Sequence, residues 1–260
     1  MKINNVSIER LPLRLPLKFL SWNLGHQTQA RDIRPGFYHA LRTLKPDVLL
    51  LNEYVHAGER DALMAFLDDA GLRHLELSER VGKNNQVLIA SRFPMVVGDL
   101  KVPMTDDGAG ESNFLHVRLA EQSIDIVGIR VPAYAQARML HDYWQRFADL
   151  VQHHKNAKIL FIGDFNADPD GKSHIGSVYL ARLREQGWHI PRADGLWSFV
   201  SGSRIDHALL SPASMQAAVA TARYVSCLDG ITLASSDSRD RVSDHAVLEL
   251  LLSSVPVESF

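Results

Sequence analysis

Residues 159–169, ILFIGDFNADP, place the strongest constraint on what this chain can fold into. Ile159, Leu160, Phe161 and Ile162 are bulky apolar residues in succession. A strand carrying them has no side to turn toward water, so both its faces need cover. The run then stops abruptly. Gly163 permits a turn, and Asp168 and Pro169 prevent continuation. Between them stand Asp164 and Asn166, a carboxylate and a carboxamide two residues apart. Period-two alternation sets both on one side of the chain, where the acid can accept a proton or bind a metal and the amide can donate a hydrogen bond. A turn made of ordinary Asp and Asn turn formers is the plain alternative for this stretch on its own.

The same pattern recurs along the chain. Leu17 to Trp22 reads as a strand ending in Asn23, Leu24 and Gly25, and a second strand over residues 47–52 carries the run VLLLN and terminates at Glu53. Residues 26–34 are polar and loop-like. Pro35 and Gly36 open a helix with Phe37, Ala40, Leu41 and Leu44 at helical spacing, closed by Pro46. A second helix spans about 59–69, with Leu63, Phe66 and Leu67 on one face and Gly71 as its stop. Strands over 72–77, 86–90, 96–102, 114–119 and 124–131 read as a meander. The longest helix covers 134–154, with Leu140, Trp144, Phe147, Leu150 and Val151 as its buried stripe. Beyond the opening stretch come a helix over 175–186, strands over 196–200, 205–210 and 218–225, a polar loop over 235–242 and a last strand over 246–252. Residues 1–16, with Pro12 and Pro16, admit at most an edge strand, and 253–260 read as a frayed tail. No linker or composition shift divides the chain, so residues 1–260 are expected to form one domain with its core at about 17–252. Two stacked sheets with helices outside would house this many strands.

A chain of 260 residues can bury such a core without staples, and the single cysteine, Cys227, cannot pair within it. With 28 basic and 30 acidic side chains the net charge is −2, which excludes the overall basic field of a tight non-specific DNA binder and leaves a local basic groove open. The N-terminus lacks an apolar signal region, and no stretch approaches the ~20 apolar residues of a membrane helix. The expectation is a soluble cytoplasmic protein with no membrane association and no protein partner.

Five strands thus end in, or contain, side chains suited to phosphate chemistry: Asn23, Glu53, Asp164 with Asn166, Asp206 with His207, and Asp244 with His245. Strand ends along one edge of a sandwich converge on one cleft. The blocks SWNLG (21–25), LNEY (51–54), GDFN (163–166), RIDH (204–207) and SDH (243–245), in this order, resemble the motif set of the endonuclease/exonuclease/phosphatase superfamily. That resemblance implies a four-layer α/β/β/α sandwich of two mostly antiparallel sheets and divalent-metal-dependent hydrolysis of a phosphoester, with Mg²⁺ or Mn²⁺ as cofactor. By position it makes Glu53 the metal-binding carboxylate with Asn23 and Asp244 near the same ion, an oxygen set suited to a hard cation. Asp164 would deprotonate the attacking water, Asn166 would hold that water or a phosphate oxygen, and His245, oriented by Asp206, would contact the scissile phosphate. Asn85, in KNNQVLIASRFP, is a candidate phosphate contact.

One position departs from the family pattern. Where members usually carry His or Tyr before a short apolar-Pro sequence, this chain has Gly-Ile-Arg130-Val-Pro132. Arg130 can fork onto a phosphate but cannot serve as a general acid. His207 is expected to be structural, and His26 and His56 to be solvated loop residues. The segment before the RIDH block is short, and its Trp197 and Phe199 fit a strand packed in the core, which disfavours an abasic-site pocket. Arg31, Arg34, Arg239 and Arg241 could position phosphates or simply pair with nearby acids, while Asp106, Asp107 and Glu111 would repel a polyanion. The leading expectation is a nuclease acting on DNA or RNA. A phosphoesterase for a small or lipid-linked substrate and a catalytically lapsed phosphate-binding module are the alternatives.

Overall fold

The computed structural model describes residues 13–25, 33–56, 60–103, 109–134, 136–171, 174–239 and 241–255. His26, Arg31, Asp106 and Asp107, with most of the N-terminal edge-strand segment and of the tail, lie outside them. In chain order the elements are β1 (Leu17–Asn23), α1 (Pro35–Leu44), β2 (Val48–Tyr54), α2 (Asp61–Asp69), β3 (His74–Leu77), β4 (Gln86–Ser91), β5 (Val96–Val97), α3 (Ala109–Ser112), β6 (Phe114–Leu119), β7 (Ile124–Arg130), α4 (Ala137–His153) and β8 (Ile159–Asp164). They continue as α5 (Ile175–Glu185), β9 (Asp206–Leu210), α6 (Pro212–Met215), β10 (Ala218–Val225), β11 (Cys227–Leu228), β12 (Ile231–Thr232) and β13 (Val247–Ser254).

One sheet has six strands in the order β10-β13-β1-β2-β4-β3, the other five in the order β5-β6-β7-β8-β9, and β11 pairs with β12 as a separate ribbon. Each main sheet is antiparallel except for one central parallel pair, β1 with β2 and β7 with β8. Both parallel pairs need a crossover, which α1 and α4 provide. Strand alternation then sorts the apolar runs into separate cores. In β2, Val48 and Leu50 face the core between the sheets, while Leu49 and Leu51 pack with Phe37, Leu41 and Leu63 of the first two helices. In β8, Leu160 and Ile162 face the inter-sheet core and Ile159 and Phe161 pack against Trp144, Phe147 and Leu180 of α4 and α5. Three cores separate four layers, as a run apolar on both faces requires. Gly128 in β7 lets the sheets approach, because a Cβ there would come within 2.7 Å of Val87 Cγ1.

Several elements differ from the sequence expectation. Residues 196–200 form no strand: Leu196 is 87% exposed, and only an isolated bridge joins Phe199 to His245. The strand expected over 96–102 contracts to Val96–Val97, and β13 runs on to Ser254, into the expected tail. On α4, Tyr143 is buried while Leu140 and Leu150 are only partly so, a rotation of the expected stripe toward the aromatic cluster of Trp144, Phe147 and Phe165.

Candidate active site

The registers bring the polar strand ends together. Across the five-stranded sheet, Arg130 of β7 pairs with Asp164 of β8, and Asp164 with Asp206 of β9, so three charged side chains stand in one row. In the other sheet Asn23 of β1 pairs with Asn52 of β2, beside Glu53. Glu53 has φ 54° at an irregularity in the pairing with β4 between Leu51 and Tyr54. A bulge of this kind re-aims a side chain, and the left-handed backbone stores about 1–3 kcal/mol that the surrounding structure must hold. Side chains from the first sheet cross to the second. Asn23 Nδ2 donates to Asp164 Oδ2 at 3.0 Å, Asn52 Nδ2 donates to Ile129 O at 2.9 Å, and Glu53 Oε1 lies 2.9 Å from Arg130 Nη2.

Asp164 is buried at the very end of its strand. Gly163 before it has φ 149°, and a Cβ there would lie 1.9 Å from Ile129 O, so the backbone of β7 closes over the glycine. After it, the Asn166 N–H donates to Asp164 Oδ1 at 2.9 Å, and Asn166 adopts φ 48°. A local turn, and not strand alternation, therefore relates the two side chains. The Asn166 amide donates to Val131 O at 2.7 Å, which directs it beside Arg130. Burial, and then the negative charge of Asp206, hold the Asp164 carboxyl well above the usual carboxylate range, against the pull of His245 and Arg130.

His245 Nδ1 lies 2.8 Å from Asp206 Oδ2, both side chains buried. Burial lowers the affinity of the imidazole for its proton, but Asp206, followed by Asp164 and Asp244, outweighs it and pushes the pKa up to about 9. Asp206 is positioned in turn. Its backbone N–H donates to Ser198 Oγ at 3.0 Å, its carbonyl accepts from Tyr224 OH at 2.8 Å, and its Oδ1 is buried without a hydrogen-bond partner among the described residues. Trp22 Nε1 donates to His245 O at 2.9 Å, and Ser243 Oγ accepts from His245 N at 3.1 Å while donating to Asn23 O at 2.6 Å. Phe199 covers the imidazole at a centroid distance of 4.8 Å. It and Trp197 are half-buried, so the expectation that they pack in the core is corrected: Phe199 belongs to the site.

Glu53, Asn23 and Asp244 supply the oxygens that could hold a cation. Asn23 Oδ1 accepts from Gly25 N at 2.9 Å, and a Cβ on Gly25 would come within 2.6 Å of Asp244 Oδ1, which places Asp244 beside Asn23. These donors are all oxygen, as a hard divalent ion prefers, and such an ion often takes only one or two protein carboxylates. Among the described residues no group of three or more His, Cys, Asp or Glu side chains forms a ready cage. The donor set fits a cation that keeps water and substrate oxygens as its remaining ligands, with Arg130 already at Glu53.

His207 is structural, as its strand position implied: buried, its Nε2 lies 3.0 Å from Ala167 O and 2.8 Å from Arg204 O, and burial lowers its pKa. His56 is exposed, with Nδ1 3.0 Å from Tyr54 OH. Asn85 is half-buried immediately before β4. The loop arginines serve the 235–242 loop. Arg34 donates to the carbonyls of Ser238, Arg239 and Arg241, Arg239 pairs with Asp237 at 2.8 Å, and Arg241 donates to Ser235 O at 2.8 Å with its Nη2 3.7 Å from Asp244 Oδ2. Asn52, Ser198, Tyr224 and Trp22 are supporting residues that sequence reasoning passed over. Only Asn52 carried a signal, a buried-run amide next to Glu53.

Residues 20–245 match the model of the Endonuclease/Exonuclease/phosphatase family. The chain belongs to this family, whose name spans enzymes that hydrolyse phosphoesters. Its fold is shared with solved structures of low sequence identity. The 3′ phosphatase NExo from Neisseria bound to product DNA hairpin superposes with TM-score 0.65 at 19% identity, covering 90% of this chain and 98% of that one. An AP endonuclease from Archaeoglobus fulgidus gives 0.64 at 18% identity over 92% and 100%. Truncated Caenorhabditis elegans TDP2 gives 0.63 at 15% identity over 92% and 98%. No curated protein matches the chain in sequence. No helix among the described residues is long and apolar enough to cross a membrane.

Proposed function

We propose that this chain is a divalent-metal-dependent phosphodiesterase, and first a nuclease that hydrolyses DNA or RNA, built as one domain. The row Arg130-Asp164-Asp206, with His245 bonded to Asp206 and Asn23 to Asp164, carries the proposal. Glu53, Asn23 and Asp244 would hold Mg²⁺ or Mn²⁺, which supplies Lewis-acid stabilisation of charge on the phosphoryl oxygens. Asp164, with its raised proton affinity, takes the proton of the attacking water. The imidazolium of His245 donates to a non-bridging phosphate oxygen, with Asp206 keeping it charged and aimed. Arg130 meets the phosphate, Asn166 orients the water from beside Val131, and Asn85 contacts the flanking phosphate. DNA as substrate is supported by the neighbours, one of which was solved with a DNA hairpin.

A small or lipid-linked phosphoester is the second reading, favoured by Arg34, Arg239 and Arg241 being engaged with carbonyls and an acid of the 235–242 loop. Incubation with plasmid, single-stranded DNA, RNA and an aryl phosphodiester, with Mg²⁺, Mn²⁺ or chelator, tests both. Nucleic-acid cleavage that chelator abolishes is expected. Turnover of the aryl ester alone selects the second reading, and no turnover with metal bound makes the chain a binding module.

A further inference from the structure

Arg130 is one permanent cation with two carboxylates in reach. Its Nη2 lies 2.9 Å from Glu53 Oε1, and its Nε lies 3.8 Å from Asp164 Oδ2, buried and without a hydrogen-bond partner among the described residues. A buried donor left unmade is costly, so the guanidinium is held with one contact wanting an acceptor oxygen. Its side chain is still 20% exposed, whereas that of Glu53 is only 8% exposed. A cation brought to Glu53 would be repelled by the guanidinium beside it. A phosphate relieves that conflict, because its oxygens match the planar fork of an arginine and can satisfy the idle Nε–H.

We propose that Arg130 is a phosphate-released guard on Glu53. At rest it neutralises the carboxylate; an arriving phosphate draws the guanidinium across and yields Glu53 to the cation. Cation and phosphate then bind cooperatively, each raising the affinity of the other by the same factor. This rests on the reading of Glu53 as a cation ligand.

The test uses the metal-stripped full chain, Mn²⁺ as the cation (free-ion EPR) and inorganic phosphate as the anion (calorimetry), in wild type, Glu53→Gln, Arg130→Gln and the double variant. Phosphate should tighten Mn²⁺ binding about tenfold in wild type, within the range usual for coupled sites, and by only about twofold in Arg130→Gln, which already binds Mn²⁺ more tightly without phosphate. Without metal, Glu53→Gln should raise phosphate affinity when Arg130 is present and leave it unchanged in Arg130→Gln. Simple removal of a negative charge would raise it in both backgrounds, and that result overturns the guard, as does equal phosphate enhancement of Mn²⁺ binding in wild type and Arg130→Gln. If Glu53→Gln binds Mn²⁺ as wild type does, the ligand reading falls and the guard with it; if Mn²⁺ affinity is lost but the coupling does not depend on Arg130, only the guard falls. Should Arg130→Gln not fold, Arg130→Lys keeps the charge at Glu53 without the fork. It should bind Mn²⁺ as weakly as wild type and respond less to phosphate, and a full response to phosphate overturns the proposal.

Discussion

Asp206→Asn isolates what the buried dyad contributes. In wild type the rise of the His245 pKa from the ordinary 6.5 to about 9 corresponds to about 3 kcal/mol of preference for the imidazolium. An amide at Asp206 keeps the shape and can still accept from Nδ1–H, but it removes the charge 2.8 Å away. The burial that lowers the pKa stays, opposed only by the weaker pull of Asp164 and Asp244, so the imidazole of the variant should titrate well below 9. A folded pKa above the unfolded one gives stability that is complete below about 6.5 and is lost as pH rises through about 9. Metal-free Asp206→Asn should therefore be less stable than wild type at pH 6 by up to about 3 kcal/mol, a deficit that shrinks markedly by pH 10. Urea unfolding at both pH values and histidine NMR titration of the metal-free protein read these outcomes. An imidazole that still titrates near 9 in the variant, or a stability deficit equal at both pH values, refutes the assignment of the charge to Asp206.

Asp164→Asn should lower hydrolysis by about 10²–10⁴-fold while leaving metal affinity nearly intact, since Glu53, Asn23 and Asp244 remain; equal loss in single-turnover rates and in calorimetric metal binding would show the base to be misassigned. Asn166→Ala strands the Val131 carbonyl that the amide serves and should cost about 1–3 kcal/mol in urea unfolding, with wild-type stability counting against that hydrogen bond. Gly163→Ala must place a Cβ against Ile129 O at a glycine backbone, and a loss of about 3 kcal/mol or more is expected. An unchanged denaturant midpoint would contradict the close approach of β7 to β8.

The layers and the chemistry-bearing strand ends were legible in the residues themselves. Runs such as VLLL and ILFI suit strands covered on both faces, and that property is local: each side chain either meets water or does not. The acids and amides at their ends could be picked out for the same reason, because a polar group flush against a buried run marks where the strand leaves the core. Partners across the fold could not be read this way. That Arg130 stands in register with Asp164 yet reaches Glu53 of the opposite sheet follows from strand pairing and sheet packing between segments far apart in sequence. LWSFV has a strand's composition, but the fold leaves only an isolated bridge to His245 for it, so Phe199 becomes the cover of the imidazole. Arg34, Arg239 and Arg241 had the charge for phosphate, and the carbonyls and an acid of the 235–242 loop took it. The sequence alone thus picked out polar strand ends, Asn23, Glu53, Asp164, Asp206 and His245, that the fold gathers in one place. Tertiary structure decided which of them touch, because hydrogen bonds and ion pairs depend on distances that only the packed sheets set.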